Sequence, residues 1–195
     1  MFSGIVEKTG ELKKIEKRQG KIYFTIRAGD FLRGVKTGDS IANDGVCLTV
    51  VKKAGGNFMV ELMPETLRLT KFSQSEVGDM INLEKSLRLG DRISGHFVLG
   101  HVDAVGVVDK VNRRGADAGL TVKVPAKIMK YLAYKGSVSL NGASLTVSGR
   151  SKNRFKVSLI SHTLNLTNLG KLKIGDKVNI EVDTVARYLE NLIKK

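Results

Sequence analysis

The stretch DSIANDGVCLTV, residues 39–50, returns as GSVSLNGASLTV at residues 136–147 and decides the architecture of this chain. The offset is 97 positions (136 − 39 = 97), and it places Cys47 on Ser144. Two further blocks repeat at the same offset: ELMPETLRLT as SLISHTLNLT, and VGDMINLE as IGDKVNIE. A period of this length exceeds a solenoid unit of about 20–50 residues and predicts two copies of a small domain.

The composition is that of an ordinary globular protein. The 195 residues are 42% hydrophobic and include two prolines, so each copy can bury a core. No run of about 18 apolar residues could span a bilayer, and the N-terminus has neither the basic start nor the long apolar stretch of a signal peptide. Cys47 is the single cysteine, which suits a reducing compartment. We therefore expect a cytoplasmic protein with no membrane partner.

The net charge of +14 is the one unusual property of the composition. Such a charge attracts nucleic acid or acidic surfaces, but the Lys and Arg residues are scattered along the chain in ones and twos. Nucleic-acid-binding proteins usually concentrate these residues in one patch. We therefore expect no nucleic-acid partner.

Short apolar runs predict strands almost throughout the chain. They are KIYFTI, FMVELM, MINLE, HFVLGHV, LTVKV, FKVSLI and KVNIEV, separated by Gly, Asn and Asp. This pattern is typical of small antiparallel barrels or sandwiches. The segments ETLRLTKF and HTLNLTNL alternate apolar and polar residues and fit strands or short extended segments.

Two dipeptides predict tight turns at equivalent places in the copies. Asp44-Gly45 and Asn141-Gly142 tolerate positive φ, as a two-residue hairpin turn requires. These turns put the Cys47 and Ser144 positions close to a barrel rim. The polar segment at residues 83–95 is the predicted linker between the copies.

A short amphipathic helix is predicted for residues 185–195, because Val185, Leu189 and Leu192 recur at helical spacing. A helix of about ten residues is marginal alone, so its apolar face needs a partner surface. That surface is either the chain's own barrels or the same helix of other subunits, and we favour self-association.

Motifs for nucleoside triphosphates and structural zinc are missing from the sequence, which has no Gly-rich phosphate loop, no CxxC and no HExxH. His96 and His101 are separated by an odd number of positions. In a regular strand they would face opposite sides and could not share a metal. We therefore predict no metal site, with one of these histidines pointing inward and the other outward.

The ordered motifs MFSGIVE, DGVCLTV, MPETL, SGHFVLGHVD, KGSVSLNGASLTV, HTL and VNIEVD resemble the riboflavin synthase family across essentially the whole chain. The resemblance implies an all-β fold of two tandem six-stranded antiparallel Greek-key barrels, at residues 1–88 and 96–184. It also implies that three subunits assemble around the C-terminal helix at 185–195. Each active site would lie between the N-terminal barrel of one subunit and the C-terminal barrel of its neighbour.

The reaction implied by the resemblance is a dismutation of two 6,7-dimethyl-8-ribityllumazine molecules. Transfer of a four-carbon unit gives riboflavin and 5-amino-6-ribitylamino-uracil, with no cofactor. One lumazine loses a proton from its C7 methyl group, and the other becomes electrophilic by addition of a nucleophile at C7. The enzyme then has to hold two flat rings face to face.

The resemblance also implies site residues. Cys47, His101 and Ser144 match the family's active-site thiol, histidine and hydroxyl. We expect His101 to shuttle the proton because its ordinary pKa suits exchange near neutrality, Ser144 to activate or replace the water that adds to C7, and Cys47 to assist on the opposing lumazine. Eight further positions match substrate-binding residues: Phe2, Ser40, Thr49, Thr66, Lys135, Thr146, Thr163 and Asp183.

Two alternatives accompany this interpretation. Non-catalytic lumazine- or flavin-binding antenna proteins resemble the same family but have lost reactive groups in one barrel, so the retained Cys47, His101 and Ser144 favour the enzyme. A basic, OB-like barrel that binds nucleic acid would need exposed aromatic residues for base stacking, and the aromatic content is 6% with no Trp. Asn141 stands where the family frequently has Asp, which removes a carboxylate from any acid–base role there. The residues do not decide whether the chain also associates with lumazine synthase.

Overall fold

The computed structural model describes residues 1–193 and contains two closed, six-stranded antiparallel barrels followed by a helix. Barrel 1 has the strand order β1-β2-β5-β4-β3-β6, and barrel 2 repeats this order with the equivalent strands. The strands of barrel 1 are β1 (Lys8–Arg18), β2 (Lys21–Arg27), β3 (Ser40–Asn43), β4 (Val46–Ala54), β5 (Asn57–Leu62) and β6 (Met80–Lys85). Those of barrel 2 are β7 (Ala104–Arg114), β8 (Asp117–Lys123), β9 (Ser137–Leu140), β10 (Ala143–Ser151), β11 (Arg154–Leu159) and β12 (Lys177–Val182). The predicted all-β tandem-barrel fold is confirmed.

The offset between the copies changes once along the chain. The first two strands of each barrel are related by 96 positions (104 − 8 = 96; 117 − 21 = 96), and the later strands by 97 (137 − 40 = 97; 177 − 80 = 97). Barrel 2 therefore has one extra residue between its second and third strands. Before the third strand, each residue of barrel 1 therefore corresponds to the residue 96 positions later in barrel 2.

Equivalent bulges allow each barrel to close. Register shifts occur between Leu12 and Lys14 in β1 and between Val50 and Lys52 in β4. Barrel 2 has the same shifts in β7 and β10. A bulge bends its strand and increases the local twist, which a small closed sheet requires. Closure leaves each barrel without an exposed edge.

The two segments ETLRLTKF and HTLNLTNL are helical, so the prediction of strands or extended segments is wrong. They form α1 (Pro64–Leu69) and α2 (Ser161–Leu166), each followed by a 3-10 helix. Runs this short fit a strand and a helix equally well by periodicity. The Thr70 hydroxyl donates to the Thr66 carbonyl oxygen at 2.6 Å and closes the turn. The 3-10 helices are Gly29–Leu32, Lys71–Gln74, Ala126–Tyr131 and Asn168–Lys171.

The segment that leads into each barrel packs on the other barrel. Phe2 pairs with Val98 in an isolated bridge, so HFVLGHV is not the regular strand predicted for it. Val6 joins the core of barrel 2, and Val102 packs against the core of barrel 1. The segments before the first strands are thus exchanged between the barrels. The predicted linker at 83–95 also starts too early, since β6 continues to Lys85.

The two predicted hairpin turns meet where the barrels touch. Asp44 and Asn141 have φ values of 44° and 45°, and the glycines that follow them also have positive φ, as the turn prediction requires. A Cβ added to Gly45 would lie 2.7 Å from the backbone nitrogen of Gly142. Both turns are therefore buried against each other rather than open to solvent at a barrel end.

The C-terminal helix α3 (Thr184–Ile193) leaves its apolar stripe uncovered in the single chain. Leu189 and Leu192 are 51% and 72% exposed. Of the helix predicted at 185–195, the last two positions lie outside the described residues. Among residues 1–193, no helix is long and apolar enough to cross a membrane.

Candidate functional site

Two equivalent sites form where the exchanged segments cross the start of β4 and β10. The backbone N–H of Ser144 donates to the carbonyl oxygen of Gly4 at 2.7 Å, and that of Cys47 donates to the carbonyl oxygen of Gly100 at 2.9 Å. A Cβ added to Gly4 would lie 2.7 Å from the Ser144 Cβ, and one added to Gly100 would lie 2.5 Å from the Cys47 Cβ. Both glycines also have positive φ, so these close contacts depend on glycine.

Ser144 is hydrogen-bonded to His96, whose Nδ1 lies 2.7 Å from the serine Oγ. The imidazole is only 9% exposed, and its Nε2 has no hydrogen-bond partner among the described residues. Burial lowers the pKa of His96 below its ordinary value, and the negative charge of Asp183 acts in the opposite direction. A neutral imidazole can accept a proton, so His96 can act as a general base toward the Ser144 hydroxyl.

His101 lies on the other side of the exchanged segment, and its side chain is exposed. Its backbone N–H donates to Glu181 at 3.1 Å. The expected inward and outward placement of the two histidines is therefore observed, with His96 as the inward one. His96 could not be identified from the sequence as the partner of Ser144, because 48 residues separate them (144 − 96 = 48) and no local pattern connects them.

Cys47 is half-buried and packs against a small apolar cluster formed by Phe2, Ala42 and Val98. Phe2 is fully buried, so it contributes to the Cys47 site by packing within this cluster. Ser40 lies opposite Thr49 across the β3–β4 ladder, and Thr49 is exposed beside the Cys47 position. These predicted site residues thus share one face of barrel 1.

The predicted residues of barrel 2 lie on β10, on α2, before β9 and before α3. Thr146 is exposed two positions along β10, and Thr163 is half-buried in α2, as Thr66 is in α1 of barrel 1. Asp183 is half-buried at the start of α3, where its Oδ1 accepts the N–H of Val185 at 3.0 Å. Lys135 is exposed, and its Nζ lies 5.5 Å from the centre of the Tyr134 ring.

Two buried carboxylates hold the exchanged segments in place. Glu84 accepts the backbone N–H groups of Ser3 at 2.8 Å and Gly4 at 3.1 Å. Glu181 accepts those of Leu99 at 2.8 Å and Gly100 at 2.9 Å. Burial raises the pKa of both carboxyls, and these backbone hydrogen bonds partly oppose the rise. Neither glutamate was identified as a candidate from the sequence, although Glu84 and Glu181 lie at equivalent positions in the last strand of each barrel, β6 and β12.

Neither site is enclosed within the single chain. A cleft of about 910 Å³ on the outer wall of barrel 2 and one of about 500 Å³ between the barrels contain none of the predicted site residues. Ligand sites usually bury most of the ligand surface. Cys47 and Ser144 are half-buried, and Thr49 and Thr146 beside them are exposed.

Comparison with known proteins gives a consistent result. The family model for the lumazine binding domain matches residues 3–86 and again residues 99–183. Riboflavin synthase of Photobacterium phosphoreum is 42% identical over 194 residues, covering 99% of this chain and 89% of that protein. Riboflavin synthase of Bacillus subtilis (strain 168) is 35% identical over 195 residues, covering 100% of this chain and 91% of that protein.

Two solved structures share the fold. The crystal structure of LumP complexed with riboflavin matches with a TM-score of 0.88 and 27% identity, covering 93% of this chain and 99% of that one. LumP complexed with 6,7-dimethyl-8-(1'-D-ribityl) lumazine matches with a TM-score of 0.84 and 28% identity over the same shares. The similarity thus extends over both barrels.

Proposed function

Since the chain belongs to the riboflavin synthase family, we propose that it converts two 6,7-dimethyl-8-ribityllumazine molecules into riboflavin and 5-amino-6-ribitylamino-uracil. The family match covers both barrels, and the relatives named riboflavin synthase match along the full chain. Two barrels with equivalent sites suit a reaction between two identical substrates. One lumazine would bind beside Cys47 and the other beside Ser144.

The hydrogen bond between Ser144 and His96 is the observation that carries this proposal. In the neutral tautomer with its proton on Nε2, His96 accepts the serine hydroxyl hydrogen at Nδ1. The serine oxygen, or a water in its place, then becomes a better nucleophile toward C7 of the lumazine bound at barrel 2. The Nε2 of His96 is buried without a hydrogen-bond partner among the described residues, so Ser144 is the group through which the ring acts.

Removal of the C7 methyl proton from the other lumazine needs a base near barrel 1. His101 is exposed beside the segment that contacts Cys47, so it is the candidate for this proton transfer. We therefore keep His101 as the proton-transfer residue of the barrel 1 site and propose His96 as the base that acts on Ser144 at the barrel 2 site.

A homotrimer would complete the active site. The apolar stripe of α3 is exposed in the single chain, as expected for a helix that packs on copies of itself. The Cys47 site of one subunit would then face the Ser144 site of its neighbour, holding the two lumazines as one complex. We also propose a cytoplasmic location, in keeping with the single free thiol of Cys47.

The test is turnover of purified, metal-stripped protein with 6,7-dimethyl-8-ribityllumazine as the only substrate, followed by the absorption change to riboflavin. We expect two lumazines to be consumed for each riboflavin. Stable binding of lumazine without product would instead support the non-catalytic binding protein. No binding of lumazine would refute both functions.

Variants assign the roles within the site. Ser144→Ala and His96→Gln should each lower kcat/KM by about 100-fold, the usual lower range for loss of an acid–base group. Ser148→Ala is the matched control, since Ser148 is an exposed serine of the same strand and should leave turnover unchanged. Full turnover by His96→Gln would contradict the role given to His96, whatever His101→Gln does.

A further inference from the structure

Arg187 connects the C-terminal helix to two acidic residues beside the exchanged segment 99–103. Its Nη2 lies 3.5 Å from Glu181 Oε1, and its Nη1 lies 3.7 Å from Asp103 Oδ1. The Glu181 side chain is 1% exposed and that of Asp103 is 18% exposed, so the guanidinium neutralises carboxylates that water solvates poorly. Its Nε and Nη2 are buried without a hydrogen-bond partner among the described residues, so the guanidinium contacts the two carboxylates as ion pairs.

The carboxylates in turn hold the segment that contacts Cys47. Glu181 accepts the N–H of Gly100, and the carbonyl oxygen of Gly100 accepts the N–H of Cys47. Asp103 fixes the end of the segment, because its Oδ2 accepts the N–H of Val182 at 2.8 Å. An unbroken series of contacts therefore runs from α3 through Glu181 and Gly100 to the barrel 1 site.

The first copy has no equivalent of this helix contact. Glu84, the counterpart of Glu181 (181 − 97 = 84), has no ion pair with a cation among the described residues. Glu7, the counterpart of Asp103 (103 − 96 = 7), is paired with Lys85 of its own barrel at 3.6 Å. Within residues 1–193, the segment beside Cys47 is thus linked to a cation of α3, while Glu84 and Glu7 beside the other segment are not.

We propose that Arg187 is a positioning residue through which the placement of α3 controls the segment over the Cys47 site, a connection that Glu84 and Glu7 do not make for the segment over the Ser144 site. The assignment of the Cys47 site to a lumazine rests on the proposed function. In the single chain, Arg187 and the ion pair of Lys130 with Glu190 hold α3 against barrel 2. Covering the apolar stripe in an assembly would reinforce this placement and, through Arg187, the segment over Cys47.

The reactivity of Cys47 tests this without any substrate. Cys47 is the single cysteine, so the rate of its reaction with 5,5'-dithiobis(2-nitrobenzoate) reports the packing of this site alone. Arg187→Met should raise the rate about tenfold, because Gly100 loses its fixed position against the Cys47 backbone and Cβ. Arg187→Lys keeps a cation between the carboxylates and should restore a rate within about twofold of the unmodified protein.

Lys130→Met is the matched control. Lys130 pairs with Glu190, so this variant also removes an ion pair between α3 and barrel 2 but touches neither Glu181 nor Asp103. It should leave the Cys47 rate within about twofold of the unmodified protein. An unchanged rate in Arg187→Met, or an equal rise in Lys130→Met, would overturn the proposal.

Lumazine binding gives a second, separate result. Fluorescence titration should show two bound lumazines per chain in the unmodified protein. In Arg187→Met it should show one bound lumazine per chain, whichever of the two affinities is lost. Loss of both sites in Arg187→Met would contradict the proposal, since Ser144 is held by Gly4 and Glu84. Absence of binding in the unmodified protein would refute the proposed function, while the thiol rates would still decide the role of Arg187. If Arg187→Met does not fold, Arg187→Gln serves in its place in both assays.

Discussion

Replacement of Lys135 by glycine should separate the stability of the fold from ligand binding. Lys135 has φ of 65°, in the left-handed region, where its counterpart in barrel 1 is Gly38 with φ of 96° (135 − 97 = 38). The backbone is otherwise equivalent: Lys135 donates its N–H to Val147 at 2.9 Å, and Gly38 donates to Val50 at 2.8 Å. A lysine thus occupies a conformation for which barrel 1 uses glycine.

The size of the effect follows from two opposing contributions. The left-handed conformation costs an L-residue roughly 1–2 kcal/mol, which Lys135→Gly removes. Glycine loses more backbone freedom on folding, at a cost of roughly 0.5–1 kcal/mol. At the midpoints of these ranges the net gain in free energy of unfolding is about 0.75 kcal/mol, which raises Tm by roughly 1.5–3 °C for a protein of this length.

The same change should weaken lumazine binding, because it removes the ammonium group of a residue that matches a substrate-binding position of the family. Lys135→Ala is the control, since it removes the ammonium group but keeps a side chain in the left-handed conformation. Calorimetric unfolding and fluorescence titration should therefore show weaker binding in both variants and a higher Tm only in Lys135→Gly. Equal Tm values in the two variants would refute the strain argument, and unchanged affinity in both would refute the binding role.

Three further predictions concern the barrel contact, the helix and pH. The Lys71 ammonium lies 2.8 Å from the buried Asp44 carboxylate. Asp44→Asn should lower the free energy of unfolding by about 2–4 kcal/mol, because it leaves this ammonium without its charge partner. Urea unfolding of Asp44→Asn/Lys71→Asn should recover much of this loss, since barrel 2 has asparagines at both positions; no recovery would contradict the pairing. Leu189→Glu should give monomers in sedimentation velocity, and a persistent trimer would exclude the α3 stripe as the contact. His96 has a lowered pKa when folded, so protonation of the unfolded chain below about pH 6.5 should reduce stability as the pH falls, and His96→Gln should flatten this part of the stability profile. Parallel profiles in the two proteins would refute a buried neutral imidazole.

Much of the candidate site could be placed from the sequence because the repeat aligns its residues. Cys47 and Ser144 do occupy equivalent positions after equivalent turns, and the threonines at 49 and 146 are both exposed beside them. The partner of Ser144 could not be placed in this way. His96 lies in an irregular segment that reaches Ser144 only because the segment crosses to that position in the folded chain.

The sequence by itself determined that the chain contains two copies of a small antiparallel β domain and where their tight turns lie. These features depend on local patterns that the chain contains twice: alternation along strands, and Asp-Gly or Asn-Gly where φ must be positive. Only the tertiary structure decided the helical form of α1 and α2, the exchange of the leading segments, and the contacts of Glu84, Glu181 and Arg187. These are contacts between residues some 80 positions apart or at a chain end, and their geometry is set by closure of the barrels and burial of charge, which no local periodicity encodes.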